Sequence, residues 1–208
     1  MKVRLDGSPV DVVRIFCIGR NYAAHAAELG NAVPGEPVIF MKPPTAIVPA
    51  GADIALPRNR GAVHFETEAV LLVGCDGANS VRDLAGIALG LDLTLRDEQA
   101  KLKAQGLPWE LAKAFDGSAA LGSFVRPPED FDAVEFECRV NGERRQHGRM
   151  RDMLFPVPRI IDFLASRFAL RKGDLVFTGT PEGVGPLAPG DVIETRSAMT
   201  GTESWRCA

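Results

Sequence analysis

Residues 63–73, VHFETEAVLLV, limit the possible folds more than any other stretch of the chain. The run opens with strand-like alternation and ends as a continuous apolar stretch, the signature of a strand entering a sheet interior. Further strand patterns fall at 12–18, 87–95, 134–140, 143–147, 175–178 and 192–196. Asn141-Gly142 separates two of them, and a two-residue turn of this type sets a hairpin because both residues tolerate positive φ. Helical patterns are fewer and shorter. Residues 22–29 are Ala-rich. Residues 80–85 open with Ser80 and Asp83, spaced as a capping box. The polar segment 96–105 ends at Gly106. Residues 157–168 carry an apolar stripe at positions 160, 161, 164 and 168. Strands dominate and do not alternate regularly with helices, so the expected class is α+β, mostly β, and not a doubly wound parallel sheet.

Residues 34–57 hold six prolines, at 34, 37, 43, 44, 49 and 57. Proline fixes φ and donates no hydrogen bond, so this stretch should be irregular or confined to short edge strands. Val38, Ile39, Phe40 and Ile47 imply that it packs against the body of the protein instead of serving as a linker. With 208 residues, 46% of them hydrophobic, the chain can bury a large core without staples. A net charge of −3 and the lack of a Lys/Arg run give no electrostatic footprint for nucleic acid. No apolar run reaches the length of a membrane span. Cys17, Cys75, Cys138 and Cys207 form no C-x-x-C pair, which fits a reducing compartment. The charged, Gly- and Pro-broken N-terminus lacks a signal-peptide core, so the expected location is cytoplasmic.

Three clusters could carry chemistry. In His64-Phe65-Glu66-Thr67-Glu68, strand geometry points Glu66 and Glu68 to one face. The two carboxylates stand beside a buried run, where they are costly unless a cation neutralises them. Paired carboxylates suit hard divalent ions; an exposed edge strand accounts for the spacing equally well. Asp92 interrupts the apolar segment 87–95, as a third ligand or as a strand end. His25 and Glu28 lie at i and i+3 of a helical pattern, close enough for a carboxylate to orient an imidazole as a general base. The same spacing is common in surface pairs. Lys113 sits in an apolar setting. The turn Thr178-Gly-Thr180-Pro-Glu-Gly183-Val-Gly185 is rich in backbone donors that could cradle an oxyanion.

In this order the segments IGRNYAAHAAELG, PVIFMKPPTAI, VHFETEAVLLVG, LDLTLRDEQ, GLPWELAKAFD and GDLVFTGTPEGVGPL resemble the fumarylacetoacetate hydrolase family. The resemblance implies a mixed β roll of the type found in that family's C-terminal domain, usually a homodimer. It is closest to the short branch of acylpyruvases, fumarylpyruvate hydrolases and oxaloacetate-acting enzymes. That branch implies a single catalytic domain over residues 1–208, with 1–18 as a short strand segment leading into it. It assigns Glu66, Glu68 and Asp92 to Mg2+ or Mn2+. It matches His25, Glu28 and Lys113 to catalytic positions, and Arg96, Gln99 and Thr180 to the substrate side. Arg20, within the first motif, is a further carboxylate clamp, since guanidinium can bind a carboxylate through two parallel bonds. Two departures stand out: Phe65, where close relatives often carry a second His, and the tail GTESWRCA.

The implied substrate is a small 2-keto or 2,4-diketo acid. The expected reaction is cleavage of a carbon–carbon bond in an acylpyruvate such as fumarylpyruvate, giving pyruvate and a carboxylic acid. A metal would polarise the diketone, His25 oriented by Glu28 would deprotonate a water, and Lys113 would neutralise developing charge. The same site permits oxaloacetate tautomerisation or decarboxylation, or isomerisation of a 2-keto/2-hydroxy dienoic acid. A metal-dependent keto-acid binding protein is the non-enzymatic alternative.

Overall fold

The computed structural model describes residues 1–208. Two sheets make the body. A seven-stranded mixed sheet runs in the order Val38–Lys42, Ile15–Gly19, Leu175–Phe177, Thr67–Val73, Leu84–Asp92, Ala119–Leu121, Ile47–Pro49. A five-stranded sheet runs Glu143–Arg149, Glu135–Val140, Val192–Ser197, Gly201–Cys207, Asp53–Ile54. A three-stranded sheet of Thr94–Leu95, Val63–Phe65 and Gly185–Pro186 lies beyond the ends of the central strands. The fold is therefore mostly β, as the sequence patterns imply, and a curled mixed sheet, as the family resemblance implies.

The proline-rich stretch forms three short strands, and each lies at a sheet edge: Val38–Lys42 and Ile47–Pro49 flank the seven-stranded sheet, and Asp53–Ile54 ends the five-stranded one. Pro49 lies within one of these strands and the other prolines lie outside them, which keeps each strand short; the missing N–H of Pro49 is tolerated at an edge. At Asn141-Gly142 both residues have positive φ, 52° and 80°, and join the Glu135–Val140 and Glu143–Arg149 strands as a hairpin.

Two strand patterns are each broken into two. Residues 63–73 divide at Glu66 into Val63–Phe65 and Thr67–Val73. Residues 87–95 divide at Leu93 into Leu84–Asp92 and Thr94–Leu95. The two partners break opposite one another: Thr67 pairs with Leu91 in the large sheet, and His64 pairs with Thr94 in the small one. The Asp92 N–H donates to the Glu66 carbonyl at 2.8 Å across the bend. The ladder thus changes sheets at Glu66 and Asp92, and the bend directs their side chains.

Four α-helices accompany the sheets: α1 (Ala23–Glu28), α2 (Arg96–Ala104), α3 (Glu110–Lys113) and α4 (Val157–Ala165). The buried side of α4, Val157, Ile160, Ile161, Phe163 and Leu164, closes one face of the large sheet. Each such side chain contributes roughly 1.5–3 kcal/mol by leaving water. Residues 80–85 depart from the helical expectation. The Ser80–Asp83 capping box forms, but around a single 3-10 turn, Val81–Asp83, after which Leu84 enters a strand. The 84–92 segment is apolar on both faces, and burial in the sheet outweighs the helical start signal. No helix is long and apolar enough to cross a membrane.

Candidate active site

Glu66, Glu68 and Asp92 meet where the central strands bend. All three are buried, and their ligand oxygens lie within 4.8 Å of one another. Gly90, paired with Glu68 on the neighbouring strand, lets the Ala119–Leu121 strand and Phe177 pack closely beside the triad: a Cβ there would stand 2.9 Å from the Ala120 carbonyl oxygen.

Three cations serve two of these carboxylates. Lys113 Nζ, from α3, donates to Glu66 Oε2 and Asp92 Oδ2, each at 2.6 Å. Arg96, opening α2, pairs with Glu66 Oε1. Lys42 Nζ, at the end of an edge strand, lies 2.8 Å from Asp92 Oδ1 and donates to the Lys113 carbonyl. Burial works against the Glu66 carboxylate, but Lys113 and Arg96 outweigh it and hold this carboxyl well below the usual range. For Lys113, burial is likewise outweighed by Asp92 and Glu66, which hold its ammonium above the ordinary value.

Glu68 is different. It has no Lys or Arg within ion-pair distance, and its Oε2 accepts only the Gly179 N–H, at 2.7 Å. Burial, with Asp92 and Glu66 close by, pushes its carboxyl well above the usual range. A divalent cation adjoining all three carboxylates would remove that penalty. The all-oxygen, anionic donor set is the kind hard ions take. The residues present fit such an ion.

His25 lines the same cleft as the triad. It is 5% exposed, although its helix α1 is only six residues long and would not persist alone. Tertiary ties hold α1 instead. Asn21, fully buried, donates through Nδ2 to the carbonyls of Phe155 (3.0 Å) and Thr178 (2.7 Å), and its Oδ1 accepts the Phe155 N–H at 2.7 Å. His25 Nδ1 is 3.2 Å from Glu28 Oε2, and Glu28 Oε1 accepts the Gly183 N–H at 3.0 Å. The donor-rich turn at 178–185 therefore gives two of its N–H groups to carboxylates of the chain itself, Glu68 and Glu28, and not to an external oxyanion. Gly179 and Gly183 have φ of +100° and +91°, and a Cβ on either would collide, with the Asn21 Cβ at 2.6 Å and the Arg145 carbonyl at 2.1 Å. Only glycine brings these N–H groups to the two carboxylates.

The substrate-side residues named from sequence share this cleft, in different states of engagement. Arg96 is committed to Glu66 and to the Gln99 Oε1, at 2.7 Å for the latter. The Thr180 hydroxyl donates to the Thr67 carbonyl at 2.9 Å and accepts from Gln146 Nε2 at 2.8 Å. Arg20, in the left-handed region at φ 58°, lies over the Trp109 ring at 5.8 Å and has no carboxylate partner.

Sequence reasoning missed Lys42 and Gln146. Lys42 is 1% exposed and follows the apolar run VIFM; a charge ending such a run is the signal that singled out Asp92. Gln146, 1% exposed, accepts the Thr67 N–H at 2.9 Å and donates to the Pro181 carbonyl at 2.9 Å, joining the triad strand to the glycine turn. It sits within ERRQHGR, where nothing distinguishes it from its exposed neighbours.

A buried carboxylate triad with a neighbouring His–Glu pair, at the bend of a curled β sheet, defines the class: an enzyme with a divalent-metal site. The chain belongs to the fumarylacetoacetate hydrolase family; residues 14–204 match the domain described as fumarylacetoacetate (FAA) hydrolase C-terminal. It is similar to an oxaloacetate tautomerase of Escherichia coli (strain K12), 43% identical over 190 residues, covering 88% of this chain and 87% of that protein. It is also similar to a mitochondrial oxaloacetate decarboxylase of Dictyostelium discoideum, 38% identical over 199 residues, covering 92% and 90%. The crystal structure of a fumarylpyruvate hydrolase from Pseudomonas aeruginosa, in complex with Mn2+ and pyruvate, superposes with a TM-score of 0.93 at 36% identity, covering 100% of this chain and 95% of that one.

Proposed function

We propose that this chain is a divalent-metal-dependent oxaloacetate tautomerase. The observation that carries the reading is His25, held through Nδ1 by Glu28, lining the same cleft as the carboxylate triad. The tautomerase name of the Escherichia coli relative supports it at the level of substrate. Sequence reasoning put carbon–carbon hydrolysis first and tautomerisation second; these relatives favour the reverse order.

Glu66, Glu68 and Asp92 would hold a cation such as Mg2+ or Mn2+, which would supply Lewis-acid charge to a bound keto acid. Glu28 holds His25 through Nδ1, which leaves Nε2 as the ring nitrogen free to act. In the keto-to-enol direction His25 Nε2 takes a proton from carbon 3. The C–H electron pair becomes the C2–C3 double bond, the carbonyl electron pair moves to the 2-oxygen, and the His25 imidazolium returns its proton to that oxygen. The reverse direction retraces these steps. Lys113 keeps its proton and offsets the developing charge. Arg20, Arg96, Gln99 and Thr180 form the substrate wall: Arg20 is the free carboxylate clamp, whereas Arg96 and Gln99 brace Glu66. Proton transfer needs no water, and a site with α1 docked over it suits that chemistry.

Hydrolysis of a 2,4-diketo acid is the second reading, supported by the structural match to the Pseudomonas aeruginosa enzyme. It uses the same residues, with His25 deprotonating a water. The test is a proton NMR time course on Mg2+-loaded enzyme with oxaloacetate, acetylpyruvate and fumarylpyruvate in parallel. Faster enol–keto exchange of oxaloacetate with both diketo acids intact is the expected result. Pyruvate plus the matching acid from a diketo acid would establish the hydrolase instead, and pyruvate from oxaloacetate alone a decarboxylase. A single catalytic domain, working as a homodimer, completes the proposal; sedimentation at micromolar concentration tests the dimer.

A further inference from the structure

The cations at the cleft fall into two groups. Those beside the triad are all paired: Lys42 with Asp92, Lys113 with Glu66 and Asp92, and Arg96 with Glu66. Arg20 and Lys103 also line the cleft, and neither has a carboxylate within ion-pair distance. Arg20 rests on the Trp109 ring. Lys103, half-buried on α2, donates to Asn31 Oδ1 at 2.5 Å, a neutral partner that fixes the ammonium without neutralising it. Burial, with Arg20 and Arg96 near, holds Lys103 below its ordinary value. Two unneutralised cations converging in one small cavity repel one another, and an anion bound between them would reverse the sign of that interaction.

We propose that Lys103, positioned by Asn31 and acting with Arg20, binds the second carboxylate of a dicarboxylic 2-keto acid and makes the enzyme selective for dianions. This rests on the keto-acid reading above and adds a specificity residue to it. The carboxylate next to the keto group lies beside the triad, and the distal one goes to Lys103 and Arg20. A site built to pair a charged group discriminates strongly against a ligand that lacks it, because its own charges are then left unmatched.

The experiment is calorimetric titration of Mg2+-loaded protein with 3,3-difluoro-oxaloacetate, which has no proton on carbon 3 to move, and with its 4-methyl ester. Wild type should bind the diacid at least about tenfold more tightly than the ester. K103M should bring the two affinities to within about threefold, mainly by weakening the diacid, and K103R should keep most of the preference. N31D sets a carboxylate against the Lys103 ammonium and should also remove the preference, which provides a second test should K103M fold poorly. Equal wild-type affinities would overturn the proposal, as would a K103M protein of wild-type melting temperature with its preference intact. If the preference behaves as stated but oxaloacetate exchange is not accelerated, the carboxylate site stands and the tautomerase reading falls.

Discussion

Glu68→Gln should raise stability without metal and remove most of the stabilisation that metal brings. In chelator-treated protein Glu68 is a buried carboxylate, 2% exposed, with no cation paired to it. Its carboxyl is raised, so the folded state binds its proton more tightly than the unfolded chain does. Stability from this group is therefore present below the ordinary carboxylate range and is lost as pH rises through it toward the folded value. Glutamine keeps the shape, and its amide oxygen can still accept the Gly179 N–H. The substitution should thus raise metal-free stability at pH 7 by about 1 to 3 kcal/mol, or about 2 to 12 °C for a chain of this size. Metal acts the other way and narrows or reverses the difference. At a hundred times the dissociation constant, wild type gains about 2.7 kcal/mol, or about 5 to 11 °C. Second-layer changes alone weaken metal sites roughly 10–100-fold, so losing an anionic ligand should cost at least about 100-fold. At the same metal concentration E68Q would then gain only about 0.4 kcal/mol, or about 1 to 2 °C. Differential scanning calorimetry on both proteins, with EDTA and with Mn2+, gives the four melting temperatures. A metal-free E68Q less stable than wild type by more than about 1 kcal/mol, or a metal increment equal to that of wild type, would refute the reasoning.

His25→Ala should lower turnover by about 100- to 10,000-fold while leaving the Mn2+-induced rise in melting temperature unchanged; a parallel loss of both would make His25 structural. Lys42→Met removes one partner of a buried ion pair and should destabilise the protein by about 3–5 kcal/mol in urea titrations. A loss below about 1 kcal/mol would mean that Asp92 does not depend on it. Asn21→Ala leaves the Phe155 N–H and the Thr178 carbonyl without their side-chain partner, each worth about 1–3 kcal/mol when buried. It should release α1, seen as faster amide exchange at Ala26 and Leu29, and lower kcat more than it weakens metal binding.

The pattern that made 63–73 a strand was right about direction and burial but could not show the break at Glu66. That break is set by where the partner strand changes sheets, which is a long-range pairing of His64 with Thr94 and of Thr67 with Leu91. Same-face reasoning for Glu66 and Glu68 therefore reached the correct neighbourhood through idealised geometry, since a bend brings the two carboxylates together with Asp92. Local chemistry was more reliable where one residue type decides the outcome. The proline-rich stretch gave only short strands at sheet edges, and Asn141-Gly142 fixed a hairpin. Asp6-Gly7 carries the same signal, with φ of 46° and 80° between the paired strands Lys2–Leu5 and Ser8–Asp11.

The uneven legibility of the site has a physical cause. A charge within an apolar run stands out because its burial must be compensated, and Asp92 and Lys42 both meet that criterion; the structure pairs them with each other. Each is thus evidence for the other, and a search for compensating charges in apolar runs would have found both. Gln146 and Asn31 give no such signal, since neutral amides occur freely on exposed strands and loops. Their contribution is to hold other groups in place, Gln146 the Thr180 hydroxyl and Asn31 the Lys103 ammonium. Residues that bear the charge can be found from what it costs to bury them, whereas residues that aim the charge become visible only once the chain is folded around them.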